Sequence, residues 1–177
     1  ERSVYPPKAV VQANRNGFFF SITPENAEFT QATAYVEPLN WADSMEADGR
    51  PVLNLIMVSS EEPTVRICLG SARGTNPSVS GAPNPNLGLA FKPVIESCNQ
   101  MEKGISIHVE GNQFTGGTFV AVDAEDGSAY GHISAIDYQT GEIRWRYRDP
   151  EPIMAGVLST AGGLVFTGSQ DGHALAL

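Results

Sequence analysis

Short apolar runs, each stopped by Gly, Pro, Asn or Asp, dominate this chain, and an amphipathic helical period is scarce. Such a chain has few ways to bury apolar surface other than pairing many short strands. Residues 17–22 (GFFFSI), 51–58 (PVLNLIMV), 87–95 (LGLAFKPVI) and 104–110 (GISIHVE) read as strands. So do residues 118–122, 132–136, 142–147, 163–168 and 173–177. Residues 41–47 are the one stretch expected to form a helical turn. Residues 71–86, rich in Gly, Pro, Ser and Asn, are expected to be loop. Eighteen glycines and twelve prolines among 177 residues supply the turns this layout needs.

The C-terminal half is rhythmic. GHISAIDYQTGEIRW runs strand, DYQTG turn, strand, and residues 163–177 begin the cycle again around GSQDG. Near the N-terminus, GFFFSITPENAEF reads as a worn copy, with Thr23 and Ala27 standing where Asp and Gly should be. Short strands about ten residues apart, weakly repeated, predict an all-β fold, either a blade-built propeller or a sandwich.

Composition closes off several functions. The formal net charge is −9, and an acidic surface repels phosphate backbones, so nucleic acid is not an expected partner. No apolar run reaches the roughly 18 residues a membrane helix needs. The chain opens at Glu1 without a basic-then-apolar leader, which predicts a mature, trimmed or partial polypeptide. Cys68 and Cys98 lack CxxC or zinc-ligand spacing. They fit two unrelated buried thiols or one disulfide, the latter implying an oxidising compartment. His108, His132 and His173 show no HExxH pattern and are expected on strand surfaces or in packing, not as metal ligands. Residues 123–127 lack the alternation of a calcium loop and read as a solvated turn. Nucleophile-elbow, Walker and GxGxxG motifs are absent from the sequence.

The most specific signal is Ala135-Ile-Asp137-Tyr-Gln-Thr140-Gly141-Glu-Ile-Arg-Trp145, of the form A-x-D-x-x-T-G-x-x-x-W. Asp and Gly make its tight turn, and the Trp on the returning strand is placed to lie flat across a neighbouring blade. This pattern resembles the tryptophan-docking motif of the pyrroloquinoline-quinone (PQQ) dependent alcohol and methanol dehydrogenases, which are eight-bladed propellers. Ala13-Asn-Arg15-Asn-Gly17-Phe-Phe-Phe20 is similar to that family's RNG segment. Asn40-Trp41-Ala42 followed by Asp48-Gly49-Arg50-Pro51, the segments at Ile67-Cys68 and Val94–Asn99, and residues 156–166 resemble further blocks in the family's order. The likeness spans about Lys8 to Leu177.

The resemblance implies that residues 1–177 are part of one propeller domain, with about three to four blades present. It implies PQQ as cofactor, bound with Ca2+ or a lanthanide, and a small primary alcohol as substrate. Cytochrome c or a similar acceptor would take the electrons. It assigns Arg15 to the quinone oxygens and Asn76 to a second cofactor contact. Members that oxidise alcohols often carry Trp after that Asn, where this chain has Pro77. It pairs Cys68 with Cys98 and implies a periplasmic or extracellular setting. The family's catalytic Asp and its metal ligands are expected outside this chain, so the chain alone is expected to be inactive and to associate with the remainder of its propeller. The competing expectation is a non-catalytic propeller module for assembly or protein binding, suggested by Thr23, Ala27 and Pro77.

Overall fold

The structure, a computed structural model, describes residues 8–37, 39–55, 64–68, 79–104, 107–112, 114, 116–122 and 130–177. β1 (Val10–Ala13), β2 (Phe18–Ile22) and β3 (Phe29–Ala34) form a first sheet in that order. β4 (Ala42–Met45) and β5 (Pro51–Leu53) make a hairpin. β6 (Thr64–Cys68) is followed by β7 (Ala82–Asn84), β8 (Leu89–Glu96) and β9 (Cys98–Lys103). β9 lies between β6 and β10 (Gly117–Val122) in a second sheet. β11 (Tyr130–Asp137) and β12 (Ile143–Asp149) join β8 and β7 in a third, ordered β12-β11-β8-β7. β13 (Leu158–Ser159), β14 (Val165–Gly168) and β15 (Ala174–Ala176) make a fourth. All pairings are antiparallel. Small antiparallel sheets give the all-β fold the sequence predicts, with the second and third interleaved, since β9 and β10 fall between β8 and β11. Among the described residues no helix is long and apolar enough to cross a membrane.

The third sheet is the centre of the packing. From Ala90 to Glu96 and from Tyr130 to Ile136 every residue is buried, so β8 and β11 are covered on both faces. Their register sets Ile136 opposite Ala90, His132 opposite Val94 and Tyr130 opposite Glu96. One face therefore carries Ala90, Val94 and Ile136, which pack with Phe19, Tyr35 and Val36 from the first sheet and the segment after it. The other carries Phe91, Ile133 and Ala135, packed with Ile153 and Val165 on the way to the fourth sheet. Each fully buried Ile or Val contributes about 1.5–3 kcal/mol. Gly131 is required by close approach: a Cβ there would lie 2.4 Å from the backbone nitrogen of Ile153.

Three local expectations fail for identifiable reasons. Residues 41–47 do not form a helical turn; β4 runs there instead, paired with β5. The Asp48-Gly49 pair decides this, because Gly49 takes φ +84° and Glu46 N donates to Arg50 O at 2.7 Å, closing a hairpin over the helix-forming residues before it. Residues 107–109 are not strand either. The strand lies upstream, in the polar run Cys98–Lys103, because that run is paired on both sides. Within the expected loop at 71–86, Ala82–Asn84 pairs with β8 as a short edge strand. Of the expected strand at 51–58, residues 56–58 lie outside the described residues.

The docking motif and its worn copy fold alike. Asp137 Oδ1 accepts from the backbone N–H groups of Gln139 and Thr140, and Gly141 N donates to Asp137 O at 2.7 Å with φ +74°. At the β2–β3 turn, Thr23 Oγ1 accepts from Glu28 N at 3.1 Å and Ala27 N donates to Thr23 O at 3.0 Å. Ala27 has φ +56°, the one non-glycine residue in the left-handed region among the described residues. The β11–β12 turn itself meets the first sheet: Ser21 Oγ donates to Tyr138 O at 3.3 Å, and a Cβ on Gly141 would strike Thr33 Oγ1. Trp145 lies across Ala135 against Phe91 of its own sheet, with ring centres 5.5 Å apart. A left-handed alanine costs about 1–2 kcal/mol, so Ala27→Gly is expected to raise unfolding free energy by roughly 0.5–1 kcal/mol after the entropy it adds to the unfolded chain. Denaturant unfolding of the two proteins measures the difference.

Candidate functional site

Arg15 is exposed in the turn that joins β1 to β2. Three consecutive peptide planes around it are each tied by a hydrogen bond. Tyr35 Oη donates to Asn14 O at 2.8 Å. Asn16 N–H donates to the side-chain Oδ1 of Asn14 at 3.1 Å. Trp41 Nε1 donates to Asn16 O at 2.7 Å. The turn closes through Asn14 N to Phe18 O and Gly17 N to Asn14 O, and it needs φ +90° at Gly17, which glycine reaches without strain. A backbone held in this way gives the guanidinium a fixed root. Its five N–H donors in a planar fork suit quinone or carboxylate oxygens.

The same turn is linked to the cysteines. Asn40, beside Trp41, accepts from Cys68 N at 2.7 Å through Oδ1 and donates to Arg66 O at 3.0 Å through Nδ2. Its own N–H donates to Cys68 O at 3.2 Å. Cys68 stands directly opposite Cys98 in the β6–β9 ladder, with Cα atoms 4.1 Å apart, and the two form a buried disulfide. The structure thus joins the two cysteines and ties Arg15 to them through Trp41 and Asn40. Asn76 and Pro77 lie outside the described residues, as do residues 123–127. Among the described residues no three His, Cys, Asp or Glu side chains gather to hold a metal.

On the other side of the turn lies a buried polar network that the sequence does not announce. His132 Nε2 is 2.7 Å from Glu96 Oε1, and the two side chains are 1% and 0% exposed. Glu96 Oε1 also accepts from Glu37 N at 2.8 Å. Arg146 Nε donates to Ser134 Oγ at 3.3 Å, and the same oxygen lies 3.1 Å from His132 Nδ1. Arg146 also pairs with Glu37 Oε1 at 3.1 Å and donates to Tyr35 O at 3.3 Å. Ser134, His132 and Glu96 have the residue types of a hydrolytic triad, yet burial this complete admits no substrate. The network is structural. A period-two reading of HISAI places His132 and Ser134 on one face with Ile136, but Glu96 comes from another strand and Glu37 from another sheet's end.

Tyr130 Oη donates to Glu37 Oε2 in a short bond. This bond, aided by Arg146 and opposed by burial, holds Glu37 below its ordinary value of 4.5. Burial first, and then the bond to Glu37, pushes the Tyr130 hydroxyl well above its ordinary value of 10.0. Arg148 lies over the Tyr130 ring at 3.6 Å. Of the remaining histidines, His173 is exposed and paired with Asp171 at 2.7 Å, which raises it, while His108 sits edge-on to Phe114.

The quinoprotein alcohol dehydrogenase PedH of Pseudomonas putida is 31% identical over 173 residues, covering 93% of this chain and 28% of its own length. The curated relatives of this chain are quinoprotein alcohol dehydrogenases. The 1-butanol dehydrogenase (cytochrome c) of Thauera butanivorans is also 31% identical, over 97% of this chain and 26% of its own length. The europium-containing methanol dehydrogenase shares the fold with a TM-score of 0.80 at 22% identity, over 98% of this chain and 32% of that one. The chain therefore spans between a quarter and a third of these quinoproteins. No family model matches it.

Two measurements test this geometry in the full-length protein. Glu37, depressed in the folded state, contributes stability present above about pH 4.5 that is lost as pH falls below it. Tyr130, raised, contributes stability present below about pH 10 that is lost as pH rises. Unfolding free energy against pH should fall at both ends, and Tyr130→Phe should flatten both limbs. Replacing both cysteines, Cys68→Ser with Cys98→Ser, is expected to cost about 3–4 kcal/mol from the closed loop, read as a lower denaturant midpoint that reducing agent no longer shifts.

Proposed function

We propose that the full-length protein is a PQQ-dependent dehydrogenase that oxidises a primary alcohol to an aldehyde, and that this chain supplies one side of its cofactor pocket. The observation that carries the reading is the Arg15 turn, whose backbone is tied at three successive peptide planes. A fixed cation suits a site where negative charge develops on a quinone oxygen, because it stabilises that charge without having to reorganise. Asn76 is the second proposed contact, since an amide donates to one oxygen while accepting elsewhere. Bound PQQ would supply the oxidising power, accepting from the alcohol carbon one hydride, which carries both electrons, while the hydroxyl proton would pass to the catalytic Asp. Ca2+ or a lanthanide, the catalytic Asp and the metal ligands are assigned to other parts of the full-length protein. Cytochrome c or a similar acceptor is the proposed outlet for electrons. A periplasmic or extracellular location is supported by the Cys68–Cys98 disulfide, since such bonds persist in oxidising compartments.

The test is titration of the full-length protein with PQQ, followed by dye-linked oxidation of a primary alcohol. Saturable binding and turnover are expected, with Arg15→Ala weakening PQQ binding by roughly ten- to a hundredfold, the loss of a charge-assisted hydrogen bond. A protein that binds no PQQ is instead a propeller module for assembly or protein binding. The 177-residue chain alone, given PQQ and Ca2+, is expected to show no turnover. Dye reduction by it would contradict the placement of the reacting groups elsewhere.

A further inference from the structure

We propose that Trp41, anchored through Asn40 to the disulfide-bonded strand β6, is a positioning residue for Arg15. The inference rests on the reading of Arg15 as a cofactor contact.

The turn at residues 14–17 is held from three directions. Asn14 and Asn16 tie it locally, with Asn16 N donating to Asn14 Oδ1 and Phe18 N to Asn16 Oδ1, each at 3.1 Å. Tyr35 ties it to the end of its own sheet. Trp41 is different, because it belongs to the segment that leads into the β4–β5 hairpin. Its indole N–H reaches Asn16 O at 2.7 Å, and its ring meets Phe18 edge-on with centres 6.0 Å apart. Trp41 is thus fixed by a bond at one end and ring packing along its length. Its neighbour Asn40 spends both side-chain functions and its backbone N–H on β6, at Cys68 N, Arg66 O and Cys68 O. β6 is in turn joined to β9 by the ladder and covalently by Cys68–Cys98. A continuous path runs from the disulfide through Asn40 and Trp41 to the Asn16–Gly17 peptide, one residue beyond Arg15.

This arrangement matters because Arg15 itself is exposed. Fixing the backbone of an arginine narrows the directions in which its guanidinium can be presented. A side chain whose root shifts by an ångström presents its donors to a rigid planar ligand at the wrong angle, at a cost in affinity. Trp41 makes no claim on the ligand. It acts through Arg15.

A double-mutant cycle in the full-length protein tests this, with PQQ affinity read by fluorescence titration in wild type, W41F, R15A and the double variant. Phenylalanine keeps the ring packing on Phe18 and removes only the N–H. W41F is expected to raise the PQQ Kd by roughly three- to tenfold, the weight of one hydrogen bond. In the R15A background the same change is expected to have no effect. Amide hydrogen exchange at Gly17 and Phe18 should accelerate in W41F without PQQ, while the melting temperature stays within a few degrees. An equal loss in both backgrounds, or no loss where R15A does weaken binding, overturns the positioning role while leaving Arg15 as a contact. R15A without effect on PQQ affinity overturns the reading of Arg15, and the proposal with it. Should W41F fail to fold, Asn40→Asp in the same cycle decides, since it keeps the acceptor for Cys68 N and removes the donor to Arg66 O.

Discussion

The structure turns on a pair of strands that is covered on both faces. β8 and β11 have no solvent side, so every side chain on them must either be apolar or find a buried partner. The face turned toward the fourth sheet solves this with Phe91, Ile133 and Ala135. The opposite face cannot, because it carries Lys92, Glu96, His132 and Ser134 among its apolar residues. Those groups need donors and acceptors that their own sheet does not supply. Lys92 takes Val79 O at 2.7 Å, and burial lowers its pKa. Glu96 Oε1 takes His132 Nε2 and the Glu37 N–H from the segment after β3, and Ser134 takes Arg146 from β12 and His132 Nδ1.

That requirement fixes how the first sheet sits. Glu37 N must reach Glu96, and Tyr35 O must reach Arg146, so the segment after β3 is held at two points against the third sheet. Tyr35 passes the constraint on. Its carbonyl accepts from Arg146 and its hydroxyl donates to Asn14 beside Arg15. The burial of polar groups in the core thereby sets the position of an exposed turn that touches none of them. Packing energy alone is indifferent to small sliding between sheets, whereas directional bonds to buried charges and carbonyls are not.

How far the sequence reveals this depends on whether the cause is local. The DYQTG turn is legible because Asp137 and Gly141 act within five residues of each other. The strands at 132–136 and 163–168 are legible because their apolar residues recur within one run. β9 is not legible: CNQMEK is polar, and it is a strand because β6 and β10 pair with it from distant parts of the chain. β4 is hidden for another reason, since ADSMEA carries helix-favouring residues that the following Asp-Gly turn overrules. The disulfide and Arg15 were accessible only through resemblance to a family, as spacing alone left the cysteines open. Trp41, Tyr35 and Glu37 could be found only in three dimensions, because each acts on a residue twenty or more positions away.

The worn turn at Thr23–Ala27 bears on how such a chain diverges. Thr23 replaces the Asp of the better copy and Ala27 its Gly, yet Thr23 N still donates to Glu28 O at 2.9 Å, as Asp137 N does to Glu142 O at 2.9 Å. The hydrogen-bond frame has outlived the residues that favour it. A turn clamped between two paired strands can absorb about 1–2 kcal/mol of left-handed strain, because register along β2–β3 already fixes where the chain must reverse. Loss of a motif's letters at such a place is therefore weak evidence for loss of its structure, and weaker still for loss of function. Substitutions at Asn16, Gly17 or Trp41 would be more telling. There the β1–β2 ladder does not act alone: side chains of the turn itself, the Trp41 indole and the Tyr35 hydroxyl make the bonds that shape it.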